Sequence, residues 1–403
     1  EGRAPDFAAY DALAAARRAV PEGYTVTRFA VEPPTVAPFA WGVLRGVNGL
    51  RVVGFAPSED AKRLVGDAVR AAFPGVPVSD EMRIASGGPS AETWVAATVF
   101  GVNQLAKLRT GEVRGIGAKL SIIGEAQDSA AYGAVSAALA VPLPGGFALE
   151  KSDVRPPVVK PYVFGLRKDG QGLTVSGFYP VRQDHEALLA LARVQLLGAP
   201  VNDVSAVALG APDGFARAAA VALRELARLE GGEARLDDQK LRFSGTALYP
   251  AALDAIRAAL AADLPAGFSA EVTLEIAPPP PPMDKVSCQK ALTDLLGRGS
   301  VSFQKGSAAL DPTSRGLLDH LAAVASGCPE ATIEIAGHSG AQGDGAANDD
   351  LAAQRAQSVA DYFAQAGISA GRLVAIGYGE SDGLPAATTT GLPDGRRIDF
   401  IVR

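Results

Sequence analysis

Histidine, the side chain best suited to metal binding and to proton transfer near neutral pH, occurs three times, at His185, His320 and His338. None of them has a second His or Cys at metal-ligand spacing. His338 ends an alternating segment that is predicted to be a strand. The sequence contains no nucleophile elbow, phosphate-binding loop or dinucleotide fingerprint. We therefore expect no enzyme activity, no metal and no cofactor.

Oxygen-bearing side chains cluster in one short segment, at Asp344, Asn348, Asp349 and Asp350. This cluster is similar to a calcium loop, but the glycine and glutamate positions of an EF-hand are absent. The segment therefore does not predict a calcium site.

The chain has two cysteines, Cys288 and Cys328. Both lie in its last third, which favours a pair inside one domain, and the alternative is two buried free thiols. A bridge would close a loop of roughly 40 residues and contribute about 4 kcal/mol by the chain-entropy relation. A disulfide would favour an oxidising compartment such as a periplasm.

Composition excludes several classes of protein. The 403 residues are 48% hydrophobic and 20% charged, which is enough apolar material for more than one packed domain. The net charge is −6 and no long basic run occurs, so we expect no nucleic-acid partner. No apolar stretch approaches the ~20 residues that span a bilayer. Because the chain begins with Glu1 rather than Met, the sequence leaves open an upstream leader or membrane anchor.

An apolar strand that ends in glycine recurs four times in the first two thirds of the chain. Each copy is followed by a helical pattern, a Pro/Gly break and a further short strand. The four copies are Leu50–Gly54, Leu120–Gly124, Leu173–Gly177 and Leu241–Gly245. Because glycine permits close approach or a positive φ, we expect these glycines to serve packing.

A longer period groups the copies in pairs. Gly54 and Gly177 are 123 residues apart, and Pro38–Arg45 resembles Pro161–Arg167. The sequence therefore predicts α+β blocks of helices on small sheets. We expect a partial or degenerate half-unit at 1–35, a first two-unit block at 36–157 and a second at 158–277.

The order strand, glycine, helix, glycine, strand over these blocks resembles the BON repeat of bacterial envelope proteins. The resemblance involves no charged or catalytic residue. It implies interaction with a membrane surface or with other envelope proteins.

Pro278–Pro282 is a run of five prolines, which cannot continue a helix or sheet and adopts an extended polyproline II conformation. We predict a semi-rigid linker at 278–285 between the repeats and a C-terminal domain at 286–403.

The C-terminal domain has a β-α-β-α-β pattern with a final strand. Strands are predicted at Val301–Phe303, 332–338, 373–378 and 397–402. Asp311-Pro312 opens a first helix. A Gly-rich loop at 339–347 precedes a second helix at 349–366.

This domain is identified as a member of the OmpA-like family. The resemblance rests on Phe303 with Gly306–Ala308, on Ile333–Ser339, on Asn348 with Leu351, on Arg355–Val359, on Gly377–Glu380 and on Arg396–Ile398. A cysteine pair around the first strand and helix also occurs in a branch of this family.

The resemblance implies binding of the peptidoglycan stem peptide through its diaminopimelate residue, in the periplasm or at the outer membrane. Arg355 and Asn348 occupy the family's binding positions, and Ser339, Asp344 and Arg396 are further candidate ligand-binding residues. An arginine suits a carboxylate because it donates two parallel hydrogen bonds.

The sequence departs from the family at Gly340, where the family has the aspartate that pairs with the ligand's ammonium group. Asp344 or the cluster at 348–350 could replace this aspartate. Two functions therefore stay open, a tether to peptidoglycan and an envelope scaffold whose OmpA-like domain has lost wall binding.

Overall fold

The computed structural model describes residues 2–28, 30–339, 345–380 and 397–403, with only the backbone described at residues 18, 339, 345–348, 379 and 380. Contacts divide the chain into two compact units, Glu1–Val158 and Val159–Arg403. The finer domain bounds predicted from the sequence stay a prediction.

The first unit contains a two-stranded parallel sheet and a six-stranded sheet of order β5-β4-β3-β6-β7-β8. Its strands are β1 (Gly2–Arg3), β2 (Val31–Glu32), β3 (Ala40–Arg45), β4 (Leu50–Ala56), β5 (Val78–Ile84), β6 (Leu108–Ile116), β7 (Lys119–Ala126) and β8 (Ala148–Arg155). Its helices are α1 (Phe7–Arg18), α2 (Glu59–Ala72), α3 (Ala91–Leu105) and α4 (Ser129–Leu139), with a 3-10 turn at Pro144–Gly146.

The second unit begins with a sheet of order β11-β10-β9-β13-β14-β15, in which β12 also pairs with β10. The strands of this sheet are β9 (Val163–Asp169), β10 (Gly172–Tyr179), β11 (Val201–Asp203), β12 (Ala206–Val207), β13 (Leu229–Asp237), β14 (Lys240–Ala247) and β15 (Ser269–Ile276). Its helices are α5 (Arg182–Gln195), α6 (Phe215–Ala227) and α7 (Pro250–Asp263).

The two large sheets repeat the same strand order and the same pairing directions. Each sheet contains two hairpins, β3-β4 and β6-β7 in the first sheet and β9-β10 and β13-β14 in the second, and the first strands of the two hairpins pair antiparallel with each other. The second strand of each hairpin leads into a helix and pairs parallel with the strand that follows that helix. The four strand-glycine segments predicted from the sequence all lie in strands, namely β4, β7, β10 and β14. The structure therefore contains one α+β arrangement twice.

The helices form where the sequence supplies caps and an apolar stripe. The Ser58 hydroxyl accepts a hydrogen bond from the Ala61 amide at 3.1 Å, which caps α2. Val65 and Val69, one turn apart, are fully buried against the sheet. Burial of such side chains, at roughly 2 kcal/mol each, fixes the helix on its sheet.

The glycines predicted to end their strands lie inside β4 and β10, which each continue two residues further, and close packing requires them. Gly54 has φ +93° and Gly177 has φ +84°. A Cβ atom at either position would lie 2.3 Å from a backbone carbonyl oxygen, that of Ala40 or Val163. These glycines therefore serve the packing role predicted for them.

The C-terminal part of the second unit contains a three-stranded sheet of order β17-β16-β18, with β16 parallel to β17 and antiparallel to β18. Its strands are β16 (Ile333–Ser339), β17 (Leu373–Glu380) and β18 (Arg397–Val402). Its helices are α8 (Lys285–Leu296), α9 (Arg315–Ser326) and α10 (Gly345–Gln365), with 3-10 turns at Pro312–Ser314 and Ala370–Arg372.

The strand predicted at Val301–Phe303 is wrong. Phe303 forms only an isolated bridge with Leu310. The side-chain amide of Gln289 on α8 hydrogen-bonds the backbone groups at the outer edge of β18. Gln289 Nε2 donates to Phe400 O at 2.9 Å, and Gln289 Oε1 accepts from Val402 N at 2.8 Å. A further strand at that edge would lack these partners.

Cys288 and Cys328 form a disulfide that joins α8 to the end of α9, with a Cα–Cα distance of 6.1 Å. The residues after the proline run lie against the same helix end, because the Met283 amide donates to Gly327 O at 2.7 Å. The segment predicted to be a spacer therefore ends in contact with the domain that it precedes.

Candidate anion-binding site

A cavity of about 260 Å³ opens beside the end of β16. It is bounded by the loop before α9, by α10 and by the start of β18. The lining residues are Val301, Ser302, Phe303, Gln304, Lys305, Gly306, His338, Arg355 and Arg397. None of these described lining residues is a carboxylate, whereas two are arginines and one is a lysine.

Close packing of α10 on the sheet brings Arg355 to this cavity. Gly337 and Gly377 are paired across β16 and β17. A Cβ at Gly337 would lie 2.2 Å from Ala352 O, and one at Gly377 would lie 2.7 Å from Ala353 N. Only glycine therefore lets the helix backbone approach this closely.

The Arg355 side chain is held on two sides. Its Nε donates to Ser307 O at 3.2 Å, and its Cζ lies 5.2 Å from the centre of the Phe303 ring. The residue is 9% exposed. Packing on an aromatic face and a backbone acceptor fix the guanidinium plane, so that less conformational entropy is lost when a ligand binds.

Arg397 enters the cavity from β18. Its Nε donates to Asp399 Oδ2 at 2.7 Å, and the same carboxylate oxygen lies 3.2 Å from His338 Nε2. These two atoms, His338 Nε2 and Asp399 Oδ2, are close enough for an ion pair but are not aligned for a hydrogen bond. Burial opposes ionisation of Asp399, but its contacts with His338 and Arg397 outweigh burial and hold its pKa below the usual range.

A second polar group lies farther along β16. The Glu334 carboxylate accepts from Tyr378 Oη at 2.5 Å and from Arg403 Nε at 2.6 Å. Burial raises the pKa of Glu334, but the hydrogen bonds from Arg403 and Tyr378 lower it below its ordinary value. Since these partners satisfy both oxygens, this carboxylate supports the strand and does not line the cavity.

Of the residues predicted from the sequence, the structure places Arg355 in the cavity. The other four candidates lie outside the described residues or side chains; they are Ser339, Asp344, Asn348 and Arg396. Of the other residues expected to replace the aspartate missing at Gly340, Asp349 and Asp350 are described, and both are exposed and absent from the cavity lining.

Sequence reasoning missed Arg397, Lys305 and the Phe303 ring. A signal for Arg397 was present in the alternation of β18, since Ile398 and Phe400 are buried in the core and Arg397 and Asp399 take the other face. No feature of the sequence indicated that Lys305 lines the cavity, because Lys305 lies in a loop, where no periodic pattern predicts the direction of a side chain.

Within the described parts of the chain, no three His, Cys, Asp or Glu side chains are grouped so that they could hold a metal ion. Over the same residues, no helix has both the length and the apolar character needed to cross a bilayer.

Residues 302–394 match the OmpA family. The C-terminal part of the chain therefore contains an OmpA family domain, and the cavity lies within it.

Two curated relatives share sequence with the chain. Peptidoglycan-binding protein ArfA of Mycobacterium tuberculosis is 26% identical over 172 residues, which cover 42% of this chain and 53% of ArfA. Outer membrane protein P5 of Haemophilus influenzae is 35% identical over 88 residues, which cover 22% of this chain and 25% of P5. The chain thus spans about half the length of ArfA and a quarter of P5. The match with ArfA is longer than the OmpA family match, so it includes residues that precede 302.

Among solved structures, the chain is similar to the peptidoglycan-associated lipoprotein from Burkholderia pseudomallei, at 23% identity over 26% of this chain and 89% of that chain, with a TM-score of 0.22.

Proposed function

We propose that this protein is a non-catalytic component of the bacterial cell envelope that holds peptidoglycan through its OmpA family domain. The observation that carries the proposal is the buried Arg355 guanidinium, fixed by Ser307 and Phe303 at a cavity of about 260 Å³. The relative ArfA is named as a peptidoglycan-binding protein, which supports the same ligand.

The ligand chemistry fits a guanidinium. Diaminopimelate in the stem peptide carries an ammonium and a carboxylate on one carbon, and Arg355 would donate hydrogen bonds to this carboxylate. Asn348, Ser339, Asp344 and Arg396 stay proposed ligand-binding residues. The Cys288–Cys328 disulfide supports an oxidising compartment, so we place the protein in the periplasm.

The proposal is tested by co-sedimentation of the full chain with purified sacculi. We expect the parent to sediment and an Arg355→Gln variant to lose at least about tenfold in affinity, because a charge-assisted hydrogen-bond pair is removed. Lys290→Gln, an equal charge change at an exposed site on α8, is the matched control. Thermal unfolding of each variant would show that the fold is retained.

A scaffold without wall binding is the second candidate, and Gly340 favours it. On that alternative the parent stays in solution, whereas a Gly340→Asp variant sediments because the family's carboxylate is restored. Sedimentation of the parent together with loss in Arg355→Gln would reject the scaffold.

The two repeated blocks are proposed to be BON-like modules that interact with a membrane surface or with other envelope proteins. The repeated sheet order and the shared strand-glycine segments support this assignment. Flotation of the full chain with phospholipid vesicles separates the two partners. Flotation would indicate a membrane surface, and its absence would leave envelope proteins as the partner.

A further inference from the structure

The outermost strand of the first large sheet, β8, has one edge that no other strand covers. In the described part of the chain β8 pairs with β7 alone, so the backbone groups along its other edge have no partner strand. We propose that this edge binds the same edge of a second copy of the chain, with the two β8 strands antiparallel. The inference concerns an interaction surface and does not depend on wall binding.

The strand is accessible along its length. Seven of the eight residues of β8 are exposed, and Val154 is half-buried. An open strand edge is a template for a further strand, because its N–H and C=O groups point into solvent. Proteins often block such an edge with proline, and β8 contains none. Main-chain hydrogen bonds are therefore available to a strand from outside.

Two opposite charges lie on the outer face of β8. Lys151 and Asp153 are exposed and point away from the core, since Ser152 between them pairs with buried Ile122 of β7. Their own neighbours on β7 carry no charge; they are Ser121 and Ile123. Over the residues that the structure describes, neither Lys151 nor Asp153 has an ion partner or a side-chain hydrogen bond. A cation and an anion on one strand are thus left for a partner.

Antiparallel pairing of two β8 strands makes these charges complementary. With Ser152 opposite Ser152 at a twofold axis, Lys151 of each copy lies opposite Asp153 of the other, and the symmetry forms this pair twice. Side chains directly opposite each other have Cβ atoms about 5 Å apart, which is within reach of an ion pair. In the same register Glu150 lies opposite Val154, and Glu150 keeps its own cation, because Lys119 Nζ is 3.0 Å from its carboxylate.

The other outer strands are less suited to bind a second copy. The charged side chains of β5, at the opposite edge of the same sheet, are paired within the chain to Arg51, Lys62 and Asp11. In the second block, β11 and β12 have at most three residues. The charges of β15 are both acidic, at Glu271 and Glu275, so this strand offers no cation to a second copy of itself.

The test is the mass of the full chain by sedimentation velocity at concentrations up to about 0.2 mM. We expect a reversible equilibrium between monomer and dimer, because a twofold contact closes at two copies. Lys151→Glu would place two acidic pairs across the axis and Asp153→Lys two basic pairs. Each variant should therefore bind itself at least about tenfold more weakly than the parent. Lys285→Glu, at an exposed position on α8, is the matched control and should leave dimerisation unchanged.

The two single variants are complementary to each other. In a mixture of Lys151→Glu and Asp153→Lys chains, both pairs across the axis have opposite signs, so the mixture should form the dimer that neither variant forms alone. The double variant Lys151→Glu/Asp153→Lys should associate like the parent. Circular dichroism of each variant checks that the fold is retained.

Three results would overturn the proposal. The first is a parent that stays monomeric over this concentration range. The second is a pair of single variants that dimerise like the parent, or a mixture of the folded variants that stays monomeric. The third is an open series of oligomers, which would indicate a head-to-tail contact between β8 and β15, since such a contact leaves one edge free at each end.

Discussion

Arg228 and Asp319 form a buried ion pair in which Arg228 Nε donates to Asp319 Oδ2 at 2.7 Å, with side-chain exposures of 3% and 0%. Asp319 also accepts hydrogen bonds from the hydroxyls of Tyr249 and Tyr362, and Arg228 donates to Glu225 at 2.8 Å. Arg228, Glu225 and Tyr249 belong to the second repeated block, whereas Asp319 and Tyr362 belong to the OmpA family domain. The network therefore fixes the two parts of Val159–Arg403 to each other.

Small residues allow the second repeated block and the OmpA family domain to pack closely. A Cβ at Gly316 on α9 would lie 3.4 Å from the Cβ of Ala227, and one at Gly299 would lie 2.8 Å from a methyl carbon of Leu197. The OmpA family domain thus packs directly on the second block, and tests of its binding are best made on the full chain.

Replacing Arg228 with Met should destabilise the second unit by about 3–5 kcal/mol, because Asp319 and Glu225 would become buried charges without their cation. The measurement is urea unfolding followed by far-UV circular dichroism. Arg242→Met, which removes an exposed partner of Asp237, should cost under about 1 kcal/mol. Equal losses in the two variants would contradict the importance of burial at Arg228.

Stability should fall in mild acid because of His320. Burial, followed by the nearby Lys168 charge, lowers the pKa of His320 from 6.5 to about 4. The unfolded chain therefore binds a proton between pH 6.5 and pH 4 that the folded chain does not, and stability is lost as pH falls through that window. The pKa difference corresponds to about 3 kcal/mol.

The check is the pH dependence of the free energy of unfolding in the parent and in His320→Leu. We expect the variant to lose about 3 kcal/mol less than the parent between pH 6.5 and pH 4. Superimposable pH profiles for the two proteins would refute the assignment to His320.

Gly54→Ala should destabilise the first block by at least about 2 kcal/mol, since the new Cβ would meet Ala40 O at 2.3 Å and φ is +93°. Both tryptophans, Trp41 and Trp94, are buried in the core of this block, so intrinsic fluorescence reports its unfolding. Gly133→Ala, inside α4 with open space around it, should be neutral or stabilising by up to about 1 kcal/mol. A tolerated Gly54→Ala would show that the strand can shift.

Reducing the Cys288–Cys328 disulfide, or replacing both cysteines with serine, should lower the stability of the second unit by about 4 kcal/mol. The bridge joins residues 40 apart and restricts the unfolded chain accordingly. Circular dichroism should show the loss, whereas the tryptophan transition of the first block should not move. A shift of both transitions would mean that the two units unfold together.

Local patterns in the sequence were sufficient for much of the architecture. The strand-glycine segments and their repetition follow from short-range periodicity and turn chemistry, and the cysteine pair from the position of both cysteines in the last third of the chain. The OmpA-like domain and the role of Arg355 were instead predicted from the resemblance to a known family, in which Arg355 occupies the position on the helix seven residues after Asn348.

The residues that the sequence misplaced depend on partners distant in the chain. Val301–Phe303 has the pattern of a strand, but Gln289 of α8 already occupies the edge of β18 at Phe400 and Val402. Arg397 was not a candidate from the sequence, and its place at the cavity follows from the register of β18 on β16, which pairs Arg397 with His338.

The sequence by itself determined the strand-glycine segments and the helices that follow them, because caps, periodicity and glycine act within a few residues. Only the tertiary structure decided that Arg228 meets Asp319, 91 positions away, and that Arg397, Lys305 and Arg355 line one cavity. Contacts of this kind depend on how whole elements pack. The type and position of a charged residue in the sequence do not indicate which distant residue it will contact.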